Sequence, residues 1–107
     1  MTPACPSRIQ GNLEISKGRG CVLIGGDPKG LRSLARLLLW LADVDQESHP
    51  TMPYGEREHV HLYPQRTGAP HESMTRFSVV TELCRLDAKG TGEFPAKYRL
   101  AEKKKRK

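Results

Sequence analysis

The sequence predicts an α+β two-layer sandwich: a four-stranded, mainly antiparallel sheet with one long helix on one face, in the order β-β-α-β-β, ahead of a disordered basic C-terminal tail. Three observations carry this prediction. One stretch alone, residues 28–44, repeats its apolar residues at helical spacing. Four other stretches, two before it and two after, read as strands. At 107 residues the chain has room for one domain, burying roughly two thirds of its unfolded surface, which suffices for one core between two layers.

The expected organisation is a flexible N-terminus over residues 1–7, a single domain over 8–94 and a basic flexible tail over 95–107. The first strand is Arg8 to Ser16, where Ile9, Gly11, Leu13 and Ile15 alternate with Gln10, Asn12 and Glu14. Lys17-Gly18-Arg19-Gly20 reads as a tight turn, because glycine takes positive φ at low cost. Cys21-Val22-Leu23-Ile24 is a short apolar strand that closes a hairpin.

Gly25-Gly26-Asp27-Pro28 then marks a boundary. Asp27 suits an N-cap and Pro28 the first helical position. In the helix, Pro28 to about Val44, the residues Leu31, Leu34, Ala35, Leu38, Leu41 and Ala42 form one stripe. Leu37, Val44 and Leu39 border it, and Trp40 falls on the opposite face among Lys29, Arg32, Ser33, Arg36 and Asp43. Residues 45–57, with Pro50, Pro53 and Gly55, read as a loop. In the third strand, Glu58 to Tyr63, Val60 and Leu62 face one way and His59, His61 and Tyr63 the other. Pro64 ends it, and residues 65–74 form a second loop. The fourth strand runs from Arg76 to Leu86, with Phe77, Val79, Thr81 and Leu83 on one face. One helix covers one sheet face, so Phe77, Val79, Ile9 or Leu13 left uncovered on the other would imply a partner or a second copy.

Charge is partitioned. Lys97 to Lys107 holds seven Lys/Arg and one acid, which is the whole net charge of +6; residues 1–96 balance at eleven of each sign. The basic character therefore describes a tail on a neutral body. No run of about eighteen apolar residues predicts a membrane span. Met1-Thr2-Pro3-Ala4-Cys5-Pro6 has neither the basic start nor the apolar stretch of a secretory signal, so a cytoplasmic chain is expected. Cys5, Cys21 and Cys84, an odd and motif-free set, fit a reducing compartment.

His59-Val60-His61 is the constellation with chemical potential. Its two imidazoles share a strand face and are placed to grip a metal or share a proton. Zinc needs three or four ligands, and His49, His71 and Cys84 have no fixed spacing to the pair. The plainer reading is a solvated or interface face on which His59, His61 and Tyr63 pack. Gly25-Gly26-Asp27-Pro28-Lys29-Gly30 matches neither phosphate-loop pattern, and Asp27 at the cap repels phosphate, so a turn into a capped helix is expected. Trp40 is either a binding anchor or covered by Phe94 or Tyr98. Asp43 and Asp45 read as a solvated helix end, and no catalytic triad or cofactor motif is present, so no enzyme activity and no cofactor is expected. Lys103, Lys104, Lys105, Arg106 and Lys107 are the nucleic-acid-binding candidates, although six aromatic residues make a poor stacking platform.

The stretch Gly26 to Ala35, with its G-x-P-x-G-L-x-x-L-A pattern, the later His59-Val60-His61-Leu62, and Val80 to Leu86 together resemble the immunity-protein families of bacterial polymorphic toxin systems. The resemblance is greatest to the immunity protein 32 family and spans roughly residues 8 to 90. It implies a non-enzymatic cytoplasmic inhibitor that binds a cognate toxin and blocks its active site. Inhibitors of nuclease toxins usually present acidic surfaces; this body is neutral and its tail basic. Trp40, His59, His61 and Tyr63, placed off the predicted core faces, are the expected partner contacts. The first function read from the sequence is thus a protein-binding module, with a homodimer also compatible. The alternatives are a nucleic-acid-associated protein using the tail and a metal-binding domain using His59 and His61.

Overall fold

The computed structural model describes Cys5 and residues 9–65, 72–90 and 94–98. Apart from Cys5, the expected flexible N-terminus over residues 1–7 lies outside these residues, as does the expected basic tail from 99 onward. The architecture is α+β with strands β1 (Leu13–Gly18), β2 (Cys21–Gly26), β3 (His59–Pro64), β4 (Glu72–Met74) and β5 (Thr81–Cys84), one helix α1 (Pro28–Asp43), and a 3-10 turn at Ala96–Tyr98.

The single four-stranded sheet expected from the sequence is instead two sheets. β1 and β2 form an antiparallel hairpin, and a second sheet has the order β4-β3-β5. β3 pairs antiparallel with β5 and, briefly and through a bulge, parallel with β4. The split originates in the segment expected to be one long strand from Arg76 to Leu86. Its chain turns at Thr75–Ser78, where the Ser78 amide donates to the Thr75 carbonyl at 3.0 Å. The amides of Thr75 and Val79 then donate to Leu13 and Ile15 carbonyls of β1 at 2.9 and 2.8 Å. Backbone groups used to clip the hairpin are not available for a continuous ladder. Ser78, fully buried, completes the clip: its Oγ accepts from the Ile15 amide at 3.0 Å, where a neighbouring strand would have offered a carbonyl.

The hairpin turn is Arg19–Gly20. Gly18 stays in the strand, and Gly20 takes positive φ. The helix follows its predicted bounds, but its buried face does not. Ser33, Leu34, Leu37 and Leu41 are buried, with Val44 at the cap, while Leu31, Ala35, Leu38 and Ala42 of the predicted stripe are exposed. This is a rotation of about a quarter turn at 100° per residue. It arises at the helix entry, where the Ser33 hydroxyl accepts from the Gln10 amide at 2.9 Å and so turns Ser33 inward.

The core joins both sheets and the helix: Leu13 and Ile15 of β1, Leu34 and Leu37 of α1, Leu62 of β3 and Met74 of β4, with Ile9, Val60 and Leu83 packed around them. Each fully buried leucine contributes about 1.5–3 kcal/mol. Of the four residues watched for an uncovered second face, Leu13 is buried and Ile9 and Val79 are partly covered; Phe77 is exposed, with Arg76 over its ring.

Arg85, just beyond β5, ties the second sheet to the helix. It donates to the carbonyls of Leu41, Ala42 and Val44 and forms a two-toothed pair with Asp87. The last turn of α1 has no basic residue of its own, so a guanidinium from a distant strand satisfies its open carbonyls. The pair holds the Asp87 carboxyl below its usual range, the Arg85 hydrogen bonds being the main cause. The predicted loop over residues 45–57 is present but anchored. Gln46 is buried between the Asp87 carbonyl and the Glu58 amide, and Lys89 donates to the His49 and Met52 carbonyls beneath the Tyr54 ring.

Candidate functional site

Two surfaces have the character of sites. The first is the outer face of β3. Strand alternation sends Val60 and Leu62 inward and leaves His59, His61 and Tyr63 in a row, as expected. The His59 and His61 ring centroids lie 5.0 Å apart in an edge-on arrangement, and His61 and Tyr63 lie 6.0 Å apart. Register then adds Glu82, which the sequence does not single out, and brings Cys84, a further ligand candidate, beside the pair. His61 faces Glu82 and His59 faces Cys84 across the β3–β5 ladder. Partners across a ladder share a face, so Glu82 and Cys84 stand beside the imidazoles. His61 Nε2 is 3.9 Å from Glu82 Oε2. The Cys84 thiol donates to the Arg85 carbonyl at 3.0 Å, and burial, followed by the Glu82 charge, pushes its pKa up. Parity was the available signal for Glu82: it is two residues before Cys84, on the face opposite Leu83. His49, named as a further ligand, is in the 45–57 loop and bonds Thr51 instead; His71 lies outside the described residues.

His59 Nδ1 lies 3.1 Å from the Arg57 carbonyl oxygen. A carbonyl only accepts, so Nδ1 is the donor in this contact, and in the neutral ring that leaves Nε2 as the acceptor nitrogen.

The second surface is apolar. Val22, Leu23 and Ile24 are 58, 50 and 57% exposed on β2. Among the described residues β2 pairs on one side only, so its outer backbone edge is open. Leu31, Leu38 and Leu39 are also exposed on α1, the helix packed against this hairpin. Cys21–Ile24 is the apolar strand expected from the sequence, and it is exposed; Leu31 and Leu38, expected on the apolar stripe of the helix, are exposed rather than packed. A continuous apolar run does not say which side of a hairpin is covered. Trp40 is half-buried on α1, whose main packing is on the hairpin rather than on β3.

The helix N-terminus is not an anion site. Asp27 caps it, accepting from the Gly30 amide at 2.7 Å and from the Asn12 amide and side chain at 3.0 and 2.7 Å. These bonds, the Asn12 amide first, hold its carboxyl below the usual range. The Asn12 backbone crosses directly over the helix entry, and a Cβ at Gly26 or Gly30 would collide with its carbonyl oxygen. The glycine spacing is therefore a packing requirement. The candidate nucleic-acid residues Lys103 to Lys107 lie outside the described residues. Among the described residues no helix is long and apolar enough to cross a membrane.

A sequence model of the family described as immunity protein 32 matches residues 22–80, more than half of the chain. The match takes in β2, the capped helix, the β3 row and the clip on β1. No curated protein and no solved structure matches the chain.

Proposed function

The chain belongs to the immunity protein 32 family, and we propose that it is a non-enzymatic inhibitor that neutralises a cognate toxin domain by steric blockade. The observation supporting this reading is the open edge of β2, with Val22, Leu23 and Ile24 exposed along it and no charged residue between Cys21 and Gly26. An uncharged strand with a free backbone edge can accept a strand from another protein, gaining main-chain hydrogen bonds and side-chain contacts together. Leu31, Leu38 and Leu39 widen the apolar area beside it. In this reading Trp40, His59, His61 and Tyr63 are additional contacts outside the apolar centre. A neutral body suits a docking surface that works by apolar burial rather than by mimicking a polyanion.

The test is growth rescue by co-expression with candidate toxin domains sought among the genes that neighbour the gene of this chain. Wild type should restore growth, and Leu23→Lys should abolish rescue while leaving the thermal unfolding curve in place. Full rescue by Leu23→Lys overturns the docking surface; no rescue by wild type overturns the inhibitor role. Sedimentation equilibrium on the chain alone reports whether a second copy takes the same edge.

A further inference from the structure

We propose that His59, His61 and Glu82 form a zinc site on the outer face of the β3–β5 ladder. This site is independent of the apolar edge on which the inhibitor reading rests.

The geometry supplies the argument. One nitrogen from each imidazole and one Glu82 oxygen all lie within 4.8 Å of one another. A tetrahedral zinc with bonds of about 2.1 Å separates its ligand atoms by about 3.4 Å, so closing on an ion needs movements of about 1 Å. The His61–Glu82 edge, at 3.9 Å, is already near that span. All three side chains are exposed, so small rotamer adjustments meet no packed neighbours.

The donor set is chemically suited. Two borderline imidazoles and one hard carboxylate are a donor set that zinc accepts, and three protein ligands leave a fourth position open to solvent. The His59 hydrogen bond to the Arg57 carbonyl is the kind of outer-shell contact that metal-binding histidines make: it orients the ring and leaves Nε2 as the nitrogen available to an ion. Antiparallel pairing holds the arrangement, because His61 and Glu82 are direct partners and His59 is two residues along the same strand. Cys84, opposite His59, is not needed as a ligand, since its thiol is engaged by the Arg85 carbonyl. Gly55, Glu56 and Arg57 line the same shallow groove, giving an ion access from solvent.

The test is titration of the purified full chain with Zn2+ in competition with a chromogenic chelator, followed by Co2+ spectroscopy. The expected result is uptake of one ion per chain at micromolar metal, with Co2+ bands that lack a thiolate charge-transfer component. His59→Ala, His61→Ala and Glu82→Gln should each weaken uptake by about 100-fold or more, because loss of even an outer-shell partner costs 10–100-fold. His49→Ala should leave uptake unchanged. Uptake should fall on acidification, since the ligands must lose their protons to bind. The proposal is overturned by absent uptake at micromolar metal, by uptake that survives the His59→Ala/His61→Ala double substitution, or by a thiolate band tracing the ion to Cys5, Cys21 or Cys84. No toxin is present in the experiment, so its outcome is separate from that of the rescue assay.

Discussion

The hairpin–helix half and the three-stranded half of this molecule expose opposite chemistries. The first leaves Val22, Leu23, Ile24, Leu31 and Leu38 in water beside an open strand edge. The second buries Leu62 and Met74 and presents His59, His61, Tyr63 and Glu82. The two halves share one core, and both are clamped by side chains rather than by a continuous sheet: Ser78 clips β1, and Arg85 holds the end of α1. The difference teaches that strand pairing and site formation are separable here. The two-stranded half carries the exposed apolar surface. The three-stranded half holds its imidazoles and Glu82 in a fixed register.

Breaking the clamp should have the largest effect on this arrangement. Arg85→Ala strips three helix-end carbonyls of their donor and leaves Asp87 unpaired, at an expected cost of about 3 kcal/mol in urea-induced unfolding. An unchanged urea midpoint would mean that the two halves do not depend on this guanidinium.

Ser78→Ala comes next. It strands the Ile15 amide in a buried position, with an expected loss of about 2 kcal/mol. Its effect on amide exchange sharpens the comparison: protection should fall first along β1 and persist along the β3–β5 ladder.

Surface substitutions should then separate the halves by function with little change in stability. Leu23→Lys and Glu82→Gln should each stay within about 0.5 kcal/mol of wild type in the same unfolding assay. The first should lose toxin neutralisation and keep zinc, and the second the reverse. Both variants failing both assays would show that the two surfaces act as one.

The smallest effect is acid sensitivity. The carboxyls of Asp27 and Asp87 titrate below their usual range in the folded chain, through the Asn12 amide and the Arg85 guanidinium respectively. The unfolded chain therefore takes up these protons at higher pH, so their contribution is complete above the ordinary carboxylate range and is lost as pH falls through the depressed values. The melting temperature should fall as pH drops below the ordinary carboxylate value of about 4, and Asp27→Asn should make that fall shallower.

Much was legible in the amino acids because the physics there is local. Asp27, Pro28 and the leucines that follow specify a capped helix, since capping and helical spacing need only near neighbours. Alternation in His59–Tyr63 specifies which side chains share a face of β3, because strand parity is a property of the chain itself. The glycines before and within the helix entry were visible as a pattern, but their reason, the Asn12 backbone crossing above them, was not.

Only the tertiary structure decided the rest. Which helix stripe is buried depended on Ser33 bonding to Gln10, 23 residues away. Whether residues 76–80 extend a strand or clip another depended on where β1 lay, because a backbone amide can pair with either and burial selects the partner. Glu82 joins the two histidines through register, and register is a relation between strands that neither strand encodes alone.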